Sequence, residues 1–146
     1  MIGALCCCSL FLFTYKGYDL GDRFWTLLAG ISALGVVAFP CDASPDANVG
    51  LFALPYLIAN ILHYISAFGV FGSFAIMTLT QFTKGSNHKN NKIYKICGWI
   101  MIFFIIFLAC RSILGLPDWT VMLCEIFILE SFAFAWILKS GIFSIK

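Results

Sequence analysis

This sequence predicts an all-α fold, a polytopic transmembrane helical bundle of five spans. Three observations carry that prediction. The 146 residues are 62% hydrophobic and only 11% charged, with a mean hydropathy of +0.97, whereas a soluble domain carries about 25% charged residues. Such a chain cannot cover its own surface in water, so the bilayer must be its solvent. Apolar runs close to the roughly 20 residues that cross a bilayer recur at 24–39, 56–82, 93–110 and 119–138. Lysine and arginine then collect in alternate connecting segments. The whole of 1–146 reads as a single integral membrane domain.

The first span, "MIGALCCCSLFLFTY" (1–15), is the shortest. No positive segment precedes its apolar part and no small-residue cleavage site follows, so it is not a secretory signal. It reads as a helix whose beginning is missing or very short. "KGYDLGDR" (16–23) is a polar turn, and "PCDASPDANVG" (40–50) a loop with two prolines and no lysine. Pro55 marks the start of the third span, which puts 51–54 in the interface. "TKGSNHKNNK" (83–92) is a hydrophilic connector, and "SILGLPDW" (112–119) a short turn with Pro117 at a helix boundary. Tyr15, Trp25, Tyr56, Tyr94 and Trp119 fall near span ends, where amphipathic rings prefer the headgroup level.

Charge gives the chain a direction. Lys16 and Arg23 lie in the first connector, Lys84, Lys89 and Lys92 in the third, and Lys139 and Lys146 at the C-terminus. The second connector has no lysine or arginine, and the fourth has only Arg111 at its edge. Basic residues mark the cytoplasmic side, so the 83–92 connector and the C-terminus are expected inside a bacterial inner (plasma) membrane and the 40–50 loop outside. The N-terminus then falls outside on a short span, and one further helix upstream would complete a six-span protein.

The net charge of +2 and the lack of a basic patch interleaved with aromatics exclude nucleic-acid binding. Cys6, Cys7, Cys8, Cys97, Cys110 and Cys124 lie in apolar runs, where a thiol behaves as a small hydrophobe; only Cys41 reads as water-facing. No CxxC or metal-ligand spacing and no Walker or Rossmann glycine pattern occurs, so no metal site is assigned and any cofactor stays open.

Ionisable groups within a span are costly and mark a functional site by default. His63 lies about two turns below the outer end of its span, with Ser66 three residues on along the same face. Glu125 lies about two turns below Trp119, and Glu130 roughly 16 Å in, near the midplane. Arg111 sits at the outer end of the fourth span, and Asp42 and Asp46 hang from the outer loop beside Cys41. A polar pocket at the outer leaflet is therefore expected, with His63, Glu125 and Glu130 as candidate catalytic residues and Asp42, Ser66 and Arg111 lining it.

Three tasks fit such a pocket. It could handle a lipid or a small solute, with Glu130 and His63 as a protonatable relay. It could be a membrane-embedded lipid hydrolase or transferase with His63 as general base and Glu125 fixing its tautomer, or with Asp42, His63 and Glu125 around a divalent cation. Alternatively, the chain is a non-catalytic membrane scaffold or partner subunit. Its buried polar groups then only fix helix packing, at about 0.6–2 kcal/mol each, with Arg111 pairing Glu125 or Glu130. Membrane lipids are the expected partners, with a second copy or a membrane partner protein beside them.

The segments "GALCCCSLFLFTYKGYDLGDRFWTLLAGISALGVVAFPCD", "HYISAFGVFGSFAIMTLTQFTK", "NKIYKICGWIM" and "LESFAFAWILKSG" together resemble small bacterial polytopic membrane proteins of the Frag1/DRAM/Sfk1-like type. The resemblance covers nearly the whole chain. It implies a further upstream helix with a polar Ser/Tyr-rich segment, and it names no reaction. It singles out Gly17, Tyr18, Asp19, Pro40, His63, Ser66, Lys84, Tyr94, Gly98, Glu130, Trp136 and Lys139.

Overall fold

The computed structural model describes residues 2–17, 19–41, 48–85 and 88–141. Helices α1 (Ile2–Thr14) and α2 (Leu20–Ala38) are followed by two short strands, β1 (Asn48–Val49) and β2 (Leu54–Pro55). Helix α3 (Tyr56–Ile76) runs on through a π-helical turn, Met77–Gln81, into a 3-10 turn, Phe82–Lys84. Then come α4 (His88–Ala109), a single turn α5 (Arg111–Leu114) and α6 (Trp119–Lys139).

Four stretches are long and apolar enough to cross a membrane: Leu20–Ala38, Tyr56–Lys84, Lys89–Ala109 and Trp119–Lys139. The protein is thus an α-helical, multi-pass membrane protein by the length and composition of its helices. The segment expected as the first span forms a helix of 13 residues. That is about 20 Å of rise, short of a hydrocarbon core about 30 Å thick.

Local chemistry moved several boundaries. Helix α2 starts at Leu20, four residues ahead of the expected 24, because Asp19 caps it: its carboxylate accepts the Asp22 N–H at 2.8 Å. Helix α4 starts inside the stretch expected as a connector, and Asn91 donates to the Gly85 carbonyl at 2.8 Å to hold that entry. The end of the outer loop is a small antiparallel hairpin, not bare loop, pairing Asn48 with Pro55 and Val49 with Leu54. Its tip exposes Leu51 and Phe52, and the Phe52 ring packs 5.8 Å from that of Phe39.

The chain divides into two compact units, Met1–Ser73 and Phe74–Lys146, with the division inside α3. In the first, α1 packs along α2. Leu12, Ala29 and Ala33 are buried, and the fully enclosed Ser9 hydroxyl donates to the Gly30 carbonyl at 2.8 Å. That bond removes the penalty of a hydroxyl held away from water.

In the second unit, α4 and α6 run antiparallel across the short α5 turn. Met101 and Ile128 are wholly buried there. The rings of Phe104 and Phe127 stack at 4.7 Å, and those of Phe74 and Phe132 at 3.8 Å. The large outward side chains, such as Leu57, Phe68 and Phe103, suit lipid tails as well as they would suit a protein interior.

The Asp19 cap can be tested directly. Asp19→Ala should cost about 1 kcal/mol, read as a lower melting temperature of the detergent-solubilised chain by circular dichroism. Asp19→Asn should keep most of that stability.

Candidate functional site

The ionisable and small polar side chains of α3 in the first unit share one stripe. Tyr56, Asn60, His63 and Ser66 recur at helical spacing, and Gly69 continues it. Across from them α2 presents Phe39, Gly35 and Ser32 in antiparallel order. A Cβ on Gly35 would collide with Ser66, 2.9 Å from its Cβ, and a Cβ on Gly69 would collide with the Ser32 hydroxyl. Each helix therefore sets a glycine against the other's serine. Small residues of this kind let membrane helices approach closely.

His63 completes the seam. Its Nδ1 lies 2.7 Å from the Phe39 carbonyl oxygen. A carbonyl only accepts, so Nδ1 carries the proton and Nε2 keeps a lone pair. Phe39 is the C-cap of α2, with its N–H bonded to Gly35. Its carbonyl is left over because Pro40 follows and the last carbonyls of a helix have no partner within it. The neighbouring Ala38 carbonyl accepts from Leu51 N–H at 3.2 Å. The hairpin and His63 thus share the end of α2 between them. A histidine here also suits the negative end of the helix dipole.

Asn60, one turn from His63, was not singled out by sequence reasoning. It donates to the Tyr56 hydroxyl at 3.4 Å, while its own Oδ1 is buried with no hydrogen-bond partner in the structure. The 56–60–63–66 spacing was the available signal.

The remaining candidates belong to the second unit, apart from Asp42, which lies outside the described residues. Arg111 pairs with Asp118, a partner the sequence reading did not offer it, and closes the α5 turn at the mouth of α6. Asp118 is 98% exposed, so this pair adds little stability. Glu125 is half-buried on the flank of α6, beside the buried seam of Thr120, Cys124 and Ile128 that faces α4. Glu130 is exposed, on the side of α6 away from that seam.

The second unit also holds polar groups that sequence reasoning missed. Thr78 and Gln81 of the π turn are buried, and their Oγ1 and Oε1 find no hydrogen-bond partner in the structure. π turns are rare, and many occur at functional positions. Just beyond, Lys139 Nζ donates to the Phe82 carbonyl at 3.2 Å. Tyr94 and Trp136 set their rings edge-on to Phe82, each at 5.7 Å. So three positions that the family resemblance singled out meet on one phenylalanine. No sequence signal announced the π turn itself.

Among the described residues, no group of three or more histidine, cysteine or acidic side chains could hold a metal ion. No family model, curated protein or solved structure matches the chain.

The seam makes a graded prediction. His63→Leu leaves the Phe39 carbonyl unpaired and should destabilise the chain by about 1 kcal/mol, whereas His63→Gln keeps a donor and should cost less. Gly35→Leu should cost more than either, because backbone spacing and not one bond is at stake. Thermal unfolding in detergent ranks the three.

Proposed function

We propose that this chain is a non-catalytic, multi-pass subunit of a membrane assembly, whose internal polar groups fix helix packing and whose α6 docks a partner helix. The observation that carries this reading is Glu130. It is exposed near the middle of a 21-residue helix, on an apolar face with Ile126, Phe127 and Phe134 around it. A charged side chain at the centre of a span costs about 2.5–3.5 kcal/mol on insertion scales, and such groups almost always find a partner. A partner helix bringing a donor or a cation to Glu130 removes that cost. His63, Ser66 and Arg111 support the same reading, since each is engaged with Phe39, Gly35 or Asp118 within its own unit.

In this reading the chain lies in the bacterial inner membrane, with the 83–92 connector and the C-terminus inside and the 40–50 loop outside. The 1–15 helix is a fifth, short crossing. The lysine distribution supports that orientation, and the Frag1/DRAM/Sfk1-like resemblance agrees with a small membrane component.

A photo-crosslinking residue at Phe134 or Ile126 should trap a partner in native membranes. Glu130→Leu should abolish the adduct and Glu130→Gln should retain part of it. Failure to trap any protein from either position at normal abundance would remove the proposal.

A second reading, handling or hydrolysis of a lipid or small solute at the outer leaflet, has one observation in its favour. The Phe39 carbonyl fixes the His63 tautomer so that Nε2 is a bare acceptor, the form a general base needs. His63→Gln separates the readings, because glutamine can donate to Phe39 but cannot act as that base. The scaffold reading expects this variant to complement loss of the gene fully, and the chemical reading expects it to fail.

A further inference from the structure

One surface lies outside everything above. Helix α4 buries Tyr94, Cys97 and Met101 against α6 and the π turn. On its opposite side runs an open groove of about 410 Å³, lined by Lys95, Ile96, Trp99, Ile100, Phe103 and Phe104. All six come from α4, so the groove is a slot between aromatic ridges on one helix. It is too narrow for a second helix and suits a single chain of methylenes. One wall is fixed in advance, because Phe104 is stacked on Phe127 of α6.

The slot has one charged end. At 100° of turn per residue, Lys92 and Lys89 fall in the same half of the helix circumference as the lining. They stand one and two turns beyond Lys95, toward the helix start. Lys92 and Lys95 are exposed. From Lys95 to Phe104 is about 14 Å along the axis, close to the half-thickness of a hydrocarbon core about 30 Å across. Basic side chains therefore stand at headgroup level, and the apolar slot below them is one leaflet deep.

We infer that this face of α4 is a binding site for an anionic phospholipid, with an acyl chain laid between Trp99, Ile100 and Phe103 and the headgroup phosphate held by Lys92 and Lys95. A zwitterionic lipid fills the slot equally well but brings a positive group to the lysines. An apolar protein surface leaves them unmatched. Attraction to an anionic headgroup is the term that distinguishes the occupant.

The full chain, reconstituted in bilayers of equal phosphatidylglycerol and phosphatidylcholine and released for native mass spectrometry, should retain phosphatidylglycerol in preference. Lys92→Gln/Lys95→Gln should lower that preference by about fivefold for each lysine removed. Lys16→Gln, which removes a lysine elsewhere, should leave it unchanged. Ile100→Trp, which fills the slot, should reduce retention of both lipids. Equal retention of the two lipids by the unaltered chain would overturn the inference. So would a preference that survives loss of both lysines, or full displacement of the lipid by millimolar inorganic phosphate, which would make the site one for a soluble anion.

Discussion

Ser66 of α3 occupies the space that any side chain on residue 35 of α2 would need, and much of the first unit follows from that exclusion. With Gly35 against Ser66 and Ser32 against Gly69, the two backbones come close enough for an imidazole to reach across. Without that approach, His63 would stand in hydrocarbon with nothing to bond, and the Phe39 carbonyl would end α2 unpaired. In lipid no water is at hand to rescue either group. The close spacing and the hydrogen bond therefore depend on each other.

The second unit solves the same problem by other means. Its seams are aromatic and aliphatic, with Phe82 at the centre of contacts from Tyr94, Phe132 and Trp136. Lysine serves here where histidine serves in the first unit: Lys139 supplies the Phe82 carbonyl where α3 tightens to its end. A long stem carries the charge outward while the methylenes lie on apolar surface. The two units thus share one rule, that leftover helix-end carbonyls are taken by side chains from another helix.

How much of this was legible in the sequence depended on the kind of partner involved. The apolar runs revealed the long helices, and counting residues from Trp119 put Glu130 at mid-span before any coordinates did. The Gly69 and Ser66 pair was legible as a sign of close helix approach. The partner of His63 was not, because a backbone carbonyl has no letter of its own, although Pro40 after Phe39 was a hint that an acceptor would be left over. The early start of α4 was hidden because His, Lys and Asn resemble a connector by composition; they form turns beyond the apolar core, held by Asn91 on Gly85. The pairing of Arg111 with Asp118 was overlooked because attention fell on acids within the spans and not on the one at the turn. The π turn had no signal, since it depends on how α4 and the end of α3 pack.

That turn has a consequence for helical phase. A π turn accommodates one more residue than the α turn it replaces, so Met77–Gln81 behaves as a single-residue insertion absorbed without breaking the helix. Deleting one residue there would restore an ordinary ladder and rotate all that follows by about 100°. Phe82 would swing away from Tyr94 and Trp136, and its carbonyl would turn from Lys139. The anchor at this end of the helix is therefore set by the count of residues in the turn as much as by their chemistry.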